Sequence, residues 1–358
     1  MNDMHFVKSI KIKNFRCFNS LTVESLSRVN LLGGYNNIGK STFLEALEII
    51  TQSKTKVDFI NIIKDIIYRR QGKNLQDNEF DMIAYDESWF ELETTNNCVF
   101  LEIKSNNTIS ILEDEDRIDK QYNNISDTLQ VELKVNDDSD KIPHSRFIDI
   151  INNDSSRYRS PRYRRDLKSS ENIDFINSST IDEIKLASLY GKVIDLGIEK
   201  EIDSFLGEFD SRLDSLVIRP TERHSVFKVK LKGKLQPVLL SSMGEGLNRY
   251  FAIICGIWKS QNGYLFIDEI ENGIHYTKYE ELWEIIFKIS KAASCQVFAT
   301  THSRECIEAF SRVAEKCDRD NIKYINFSRT VDNPDEIVAT VLESVGLEEN
   351  FQLGADVR

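Results

Sequence analysis

The chain has 358 residues, 41% of them hydrophobic and 29% charged, the balance of a globular protein with ample material for a core. A formal net charge of −12 excludes general nucleic-acid binding by the chain as a whole, so any such contact needs a local basic patch. Six scattered cysteines with no C-x-x-C pair argue against a zinc site or a disulfide frame, and no apolar run reaches the roughly 20 residues of a membrane-spanning helix.

In chain order, Met1-Asn2-Asp3-Met4-His5 lacks the charged-then-apolar pattern of a secretory leader. A cytoplasmic location with reduced thiols is therefore expected. Residues 6–33 read as strands: Ile10-Lys11-Ile12-Lys13-Asn14-Phe15 alternates, Leu21-Thr22-Val23 follows, and Val29-Asn30-Leu31-Leu32 leads into a glycine-bearing loop. Phe43, Leu44, Leu47 and Ile50 then share one helix face. Residues 52–90 read as helical and polar around Phe59, Ile60, Ile62, Ile63, Ile66 and Ile67. From 91 to 135 the period changes to two, through Val99, Leu101 and Ile103, then Ile109 and Ile111, then Leu129, Val131, Leu133 and Val135. Those residues predict antiparallel strands with turns such as Glu113-Asp114-Glu115-Asp116. Residues 136–140 read as a loop. Helical signals return over residues 181–206, and residues 226–231 read as a strand. Beyond His302, a helix over residues 304–316 and strands at 324–327 and 337–341 finish an α/β sheet. No repeat and no coiled-coil heptad pattern is present.

Four short motifs carry chemistry. Gly34-Tyr35-Asn36-Asn37-Ile38-Gly39-Lys40-Ser41-Thr42 fits the phosphate loop G-x-x-x-x-G-K-[ST], with a strand before it and a helix after it. Its glycines let backbone N–H groups curl around an anion, and the helix N-terminus adds positive potential. Lys40 would reach the β- and γ-phosphates, and the Ser41 hydroxyl would bind Mg²⁺. Tyr264-Leu265-Phe266-Ile267-Asp268-Glu269 reads as a buried strand ending in two carboxylates. A strand beside the phosphate loop would bring Asp268 to Mg²⁺, while Glu269 would point elsewhere and polarise the attacking water as a general base. Ser241-Ser242-Met243-Gly244-Glu245-Gly246 precedes an amphipathic helix and reads either as a second anion site or as a plain helix cap. Val297-Phe298-Ala299-Thr300-Thr301-His302-Ser303 reads as a strand with a polar tip. His302 would then sit at the carboxyl edge of a parallel sheet, where ligands bind in such folds.

In that order, the phosphate loop, Ser-x-Gly, hydrophobic-Asp-Glu and Thr-His-Ser motifs resemble the ABC-type ATPases. Ile12-Lys13-Asn14-Phe15-Arg16 and the Asn36-Asn37 inside the loop look like the SMC/RecF/OLD branch, and Asp268-Glu269-Ile270-Glu271-Asn272-Gly273-Ile274-His275-Tyr276 resembles the OLD-like (overcoming lysogenization defect) ATPases of prokaryotes. The resemblance is specific over residues 6–50 and 239–305. It implies an α/β P-loop ATPase head with an N-terminal mixed or antiparallel β region, a single domain over 1–358. Residues 52–225 would be an antiparallel-strand and helical insertion between core halves 1–51 and 226–358. It also implies two heads packed face to face around ATP and Mg²⁺. Gly34, Asn36, Asn37, Gly39, Lys40, Ser41, Thr42, Asp268, Glu269 and His302 would come from one chain, with His302 sensing the γ-phosphate. Ser242 and Gly244 would come from the other, with residues 270–276 across the interface.

Departures from the pattern shape the expectation. The stretch between Lys40 and Ser242 has no heptads, which rules out a long coiled coil. The glutamine that such ATPases use to sense Mg²⁺ is not placed; Gln52, Gln121 and Gln130 are the candidates. OLD proteins carry a C-terminal TOPRIM nuclease, but only 56 residues follow His302, and Asp318-Arg319-Asp320 reads as a surface turn. The chain therefore looks like the ATPase half of a system whose effector, a nuclease or toxin, is another protein, and the resemblance implies a setting in anti-phage defence. A RecF-like DNA-repair ATPase and a slowly hydrolysing ATP-dependent scaffold share every motif. Arg157-Tyr158-Arg159-Ser160-Pro161-Arg162-Tyr163-Arg164-Arg165 is the one strongly basic tract, and it suits nucleic acid, an acidic partner or a solvated loop.

Overall fold

A computed structural model describes residues 5–71, 89–105, 129–143, 147, 172–179, 181–220, 225–317, 321–330 and 332–342. The basic tract at 157–165, the turn at 113–116, Ile109, Ile111, Gln121 and residues 318–320 lie outside the described residues.

Two large sheets organise the chain. The first contains β3 (Val29–Gly34), β8 (Ile173–Ile176), β12 (Tyr264–Ile267), β13 (Gln296–Thr300), β14 (Ile322–Arg329) and β15 (Ile337–Leu342), in the order β15-β14-β3-β13-β12-β8. Only β15 runs antiparallel to its neighbour. The near-continuous apolar runs of β3, β12 and β13 follow from burial on both faces. Leu31, Leu265, Val297 and Ala299 face one core; Leu32, Phe266 and Phe298 face the other. That is the period-two alternation of a strand with helices or a second sheet on each side.

The first core is filled by α3 (Glu183–Leu196), α4 (Glu199–Phe209), α5 (Glu245–Lys259), α6 (Tyr279–Ala292) and α7 (Arg304–Lys316). Each presents an apolar stripe, as in α7 with Cys306, Ile307, Phe310, Val313 and Ala314 buried. The three-stranded sheet β11 (Val238–Leu239), β10 (Ser225–Leu231) and β9 (Leu213–Pro220) adds Phe227 and Val229 to this core. The second core lies under α1 (Lys40–Gln52), α2 (Lys56–Gln71) and an antiparallel sheet. That sheet has the order β2-β1-β4-β5-β6-β7, from β1 (Ile10–Phe15), β2 (Phe18–Val23), β4 (Trp89–Thr94), β5 (Cys98–Ser105), β6 (Leu129–Val135) and β7 (Asp138–Pro143).

The 52–225 stretch thus contributes to both large sheets: β4 pairs with β1, and β8 pairs with β12. Two local expectations change. Residues 136–140 are not a loop. Asn136 turns at φ 53 and Val135 pairs directly with Asp138 in a hairpin. The strand β7 was hidden because its face is polar and almost wholly exposed, so it shows no apolar alternation. The helical run over 181–206 is two helices. Gly197, at φ 68, ends α3 with its N–H shared by the Ile194 and Val193 carbonyls.

Candidate functional site

The phosphate loop forms where β3 stops. Gly34 has φ 131, and a Cβ there would lie 2.5 Å from the Phe327 carbonyl of β14. Gly39 has φ 96, and a Cβ there would lie 2.7 Å from Cys17 Sγ and 2.8 Å from the Phe18 ring. Both positions demand glycine on conformation and on space. Gly39 caps α1 without any side-chain acceptor, which leaves the first-turn N–H groups for an anion. Residues Asn36 to Thr42 line a cavity of about 690 Å³, a volume that suits a small-molecule ligand. Glu269, Glu271, Asn272 and His302 line its other wall, and Cys17 and Arg70 also border it.

Lys40 is buried, and its Nζ donates to the Gly34 and Tyr35 carbonyls at 2.6 and 2.9 Å. Burial holds its ammonium down to about 8, against the opposing pull of Glu271, Asp268 and Glu269. Nζ also lies 3.1 Å from His302 Nδ1. A lysine has no acceptor, so His302 Nδ1 accepts and Nε2 carries the ring proton. That Nε2 stands 3.6 Å from Glu269 Oε1.

The two adjacent carboxylates face different partners. Asp268 Oδ1 accepts from Ser41 Oγ at 2.9 Å and from Thr300 Oγ1 at 2.8 Å. Glu269, in the left-handed region at φ 51, donates its backbone N–H to Thr300 Oγ1 at 2.8 Å. Its side chain accepts from Asn272 Nδ2 at 2.6 Å. The pairing Ile267↔Ala299 explains the contact, because one residue further on Asp268 meets Thr300. The expected neighbour relation is corrected here: β13 lies between β3 and β12, so the carboxylate strand is not beside the loop strand. Asp268 still reaches Ser41 across the carboxyl end of β13. Ser41 Oγ and Asp268 Oδ1 form a pair of hard oxygen donors, which fits Mg²⁺ completed by phosphate and water. No group of three metal-ligating side chains stands together among the described residues.

Arg249 and Thr300 also support the site and were given no role from the sequence; Glu271 and Asn272, expected with residues 270–276 across an interface, line the cavity of their own chain. Arg249 of α5 is buried. Its guanidinium donates to the carbonyls of Asn177 at 2.8 Å and Glu269 at 2.9 Å, and also to that of Asp268. Glu271 Oε1 accepts the backbone N–H groups of His302 at 2.7 Å and Ser303 at 3.2 Å, and so fixes the tip after β13. Thr300 stood within the Thr-Thr-His-Ser string, but its role depends on strand register.

Ser242 and Gly244 are not part of this cavity. Ser242 is exposed in a turn over Leu240–Met243, and its Oγ donates to the Leu239 carbonyl at 2.7 Å. Gly244 begins α5 at φ 104, with open space where a Cβ would stand. Of the glutamine candidates, Gln52 borders a separate cavity of about 510 Å³, and Gln130 lies on β6 of the antiparallel sheet. Neither meets the phosphate loop cavity.

The motifs can now be set beside known proteins. Residues 29–308 match the family model described as AAA domain, putative AbiEii toxin, Type IV TA system. The protein named ATP/GTP phosphatase from Helicobacter pylori is 23% identical over 336 residues, covering 87% of this chain and 89% of that one. The solved structure of an SMC head bound to the C-winged helix domain of ScpA aligns over 96% of this chain and 99% of its own, with a TM-score of 0.52 at 13% identity. That likeness and the strand order give the ABC-like P-loop head fold. No helix among the described residues is long and apolar enough to cross a membrane. The chain is an ATPase and belongs to the family described as AAA domain, putative AbiEii toxin, Type IV TA system.

Proposed function

We propose that this chain, as a single head unit, binds ATP with Mg²⁺ in the phosphate-loop cavity, pairs with a second copy to close the site, and through that cycle controls a separate effector. The observation that carries the reading is the bonded set Ser41–Asp268–Thr300, with Glu269 and His302 on the facing wall. Lys40 and the N–H groups at the start of α1 hold the phosphates. Ser41 and Asp268 would hold Mg²⁺, and the ion would neutralise charge on the phosphate oxygens when bound. Glu269 accepts a proton from the attacking water, and Asn272 and the Thr300 hydroxyl fix its direction. His302, oriented by Lys40 and by its backbone bond to Glu271, presents Nε2–H towards the transferred phosphate. Ser242 and Gly244 of a second copy complete the site, which accounts for their exposure here. The family description and the OLD-like motifs support a prokaryotic defence or toxin–antitoxin setting with a nuclease or toxin partner.

Phosphate release with Mg²⁺ and ATP, together with light scattering with and without ATP, tests this reading. Steady hydrolysis and an ATP-dependent doubling of mass are expected. Hydrolysis by a species that stays monomeric at every ATP concentration overturns the shared site. The native protein should co-purify with a nuclease or toxin.

A further inference from the structure

Helix α2 docks on α1 through two consecutive arginines, and the two do different things. Arg69 binds Glu48 through both of its terminal nitrogens, and its guanidinium lies 4.0 Å from the Phe175 ring centroid. It borders the second cavity, away from the phosphate loop. Arg70 binds Glu45 through Nε at 2.7 Å and Nη2 at 2.9 Å, and it borders the phosphate-loop cavity beside Cys17, Ser41 and Thr42. Glu45 stands one helical turn beyond Ser41 on α1, is 6% exposed, and is also 3.4 Å from Arg16 Nε. A buried carboxylate between two guanidinium groups can hold one and orient the other. The Arg16 side chain is 15% exposed, whereas the Arg70 side chain is 42% exposed.

We infer that Arg70 is a nucleotide-binding residue that donates to a phosphate oxygen of ATP from the α2 side of the cavity, with Glu45 as its positioning residue. The inference rests on the proposed ATP site and adds a cation that none of the four motifs contains. The bond to Glu45 uses Nε and Nη2, leaving the remaining donors of the guanidinium for a ligand. Arginine suits this double task because its planar fork can hold a carboxylate on one edge and a phosphate on another. The charge near Asp268 is relevant too: a cation here opposes the crowd of carboxylates that a polyanion must approach.

The test is calorimetric titration of the full chain with Mg²⁺-free ATP, alongside thermal melts. Arg70→Ala should weaken ATP binding by about ten- to a hundredfold. Arg70→Lys should recover part of that loss, since a lysine keeps the charge but not the fork. Glu45→Gln should weaken binding in the same direction and by less. Arg69→Ala breaks the neighbouring α1–α2 pair and should lower Tm while leaving ATP affinity unchanged. If Arg70→Ala or Arg70→Lys binds ATP as tightly as the unaltered chain and only melts earlier, Arg70 is a docking residue like Arg69 and the inference is overturned. A chain that binds no ATP before any substitution would instead overturn the proposed site itself.

Discussion

Helices α1 and α5 each begin on a glycine with positive φ and no side-chain cap: α1 after Gly39, at φ 96, and α5 after Gly244, at φ 104. Their surroundings differ sharply. Gly39 has Cys17 and Phe18 packed where a Cβ would stand, borders the phosphate-loop cavity, and is followed by two residues bonded to His302 and Asp268. Around Gly244 there is open space, and Ser242 spends its hydroxyl on its own turn. Both helix starts can face an anion, but only the first is surrounded by the groups that phosphoryl transfer needs. On the proposed function, that difference assigns the Gly39 turn to the phosphates of its own chain and leaves the exposed Ser242–Gly244 turn for a second copy.

The largest expected effects come from disabling each turn separately. Lys40→Ala should abolish ATP binding and hydrolysis, as read by calorimetry and phosphate release. Ser242→Arg should abolish hydrolysis and ATP-dependent pairing while one copy still binds ATP. The decisive measurement mixes the two inactive variants. Neither variant pairs with itself on ATP, so every pair that forms in a two-fold dimer with shared sites is mixed and has one intact site of two, and up to about half of the normal turnover should return. A mixture as inactive as its parts would show that the two turns never meet. Glu269→Gln should keep ATP affinity, hold the paired form, and lower kcat by about 10²- to 10⁴-fold. Undiminished phosphate release in that variant removes Glu269 from the chemistry.

Smaller effects probe how the two turns are joined inside one copy. Arg249 starts one turn into α5 and ends on the carbonyls of Asp268 and Glu269. Arg249→Met removes the side-chain donor to the half-buried Asp268 carbonyl, while the Glu269 carbonyl keeps the Asn272 N–H at 3.1 Å, and should destabilise the chain by about 1–3 kcal/mol, measured by urea unfolding. Lys40 gives a pH signature. Its ammonium is held by burial at about 8, below the ordinary 10.5, so the folded chain releases this proton before the unfolded chain does. Between those values the unfolded chain binds more protons, and the contribution of Lys40 to stability rises with pH. Lys40→Met removes the buried cation and should raise Tm at pH 7 while flattening that rise. A lower Tm at pH 7 would show that its bonds to Gly34 and Tyr35 outweigh the burial penalty.

The contrast between the turns also marks what was legible in the sequence. The loop, the carboxylate pair and the histidine were readable because phosphate chemistry fixes residue types at short spacing, as in Gly39-Lys40-Ser41. Strands β3, β12 and β13 were readable because burial on both faces writes a continuous apolar run. Strand β7 was not, since an exposed polar face leaves no pattern. Arg249 and Arg70 were not, because the role of each is set by a tertiary contact, Arg249 with the carbonyls of Asn177, Asp268 and Glu269 and Arg70 with Glu45 of α1, that leaves no local pattern. The order β3-β13-β12 was misplaced for a related reason: sequence adjacency of motifs carries no information about which strand lies between them.

The mildest test falls on Thr300, the residue through which strand order acts on the site. Its hydroxyl donates to Asp268 Oδ1 and accepts from the Glu269 backbone N–H, so one side chain of β13 holds both carboxylates of β12 in their separate directions. Thr300→Val keeps the shape and removes both bonds. It should cost about 1 kcal/mol of stability, since the mean net value of a hydrogen bond is of that size. If the hydroxyl only supports packing, kcat and KM for ATP stay unchanged. If it directs the carboxylates, kcat falls while KM holds, and the Mg²⁺ concentration needed for half-maximal rate rises, because Asp268 loses the partner that holds it against Ser41. That split separates a site whose two carboxylates are independent from one in which the intervening strand sets them both.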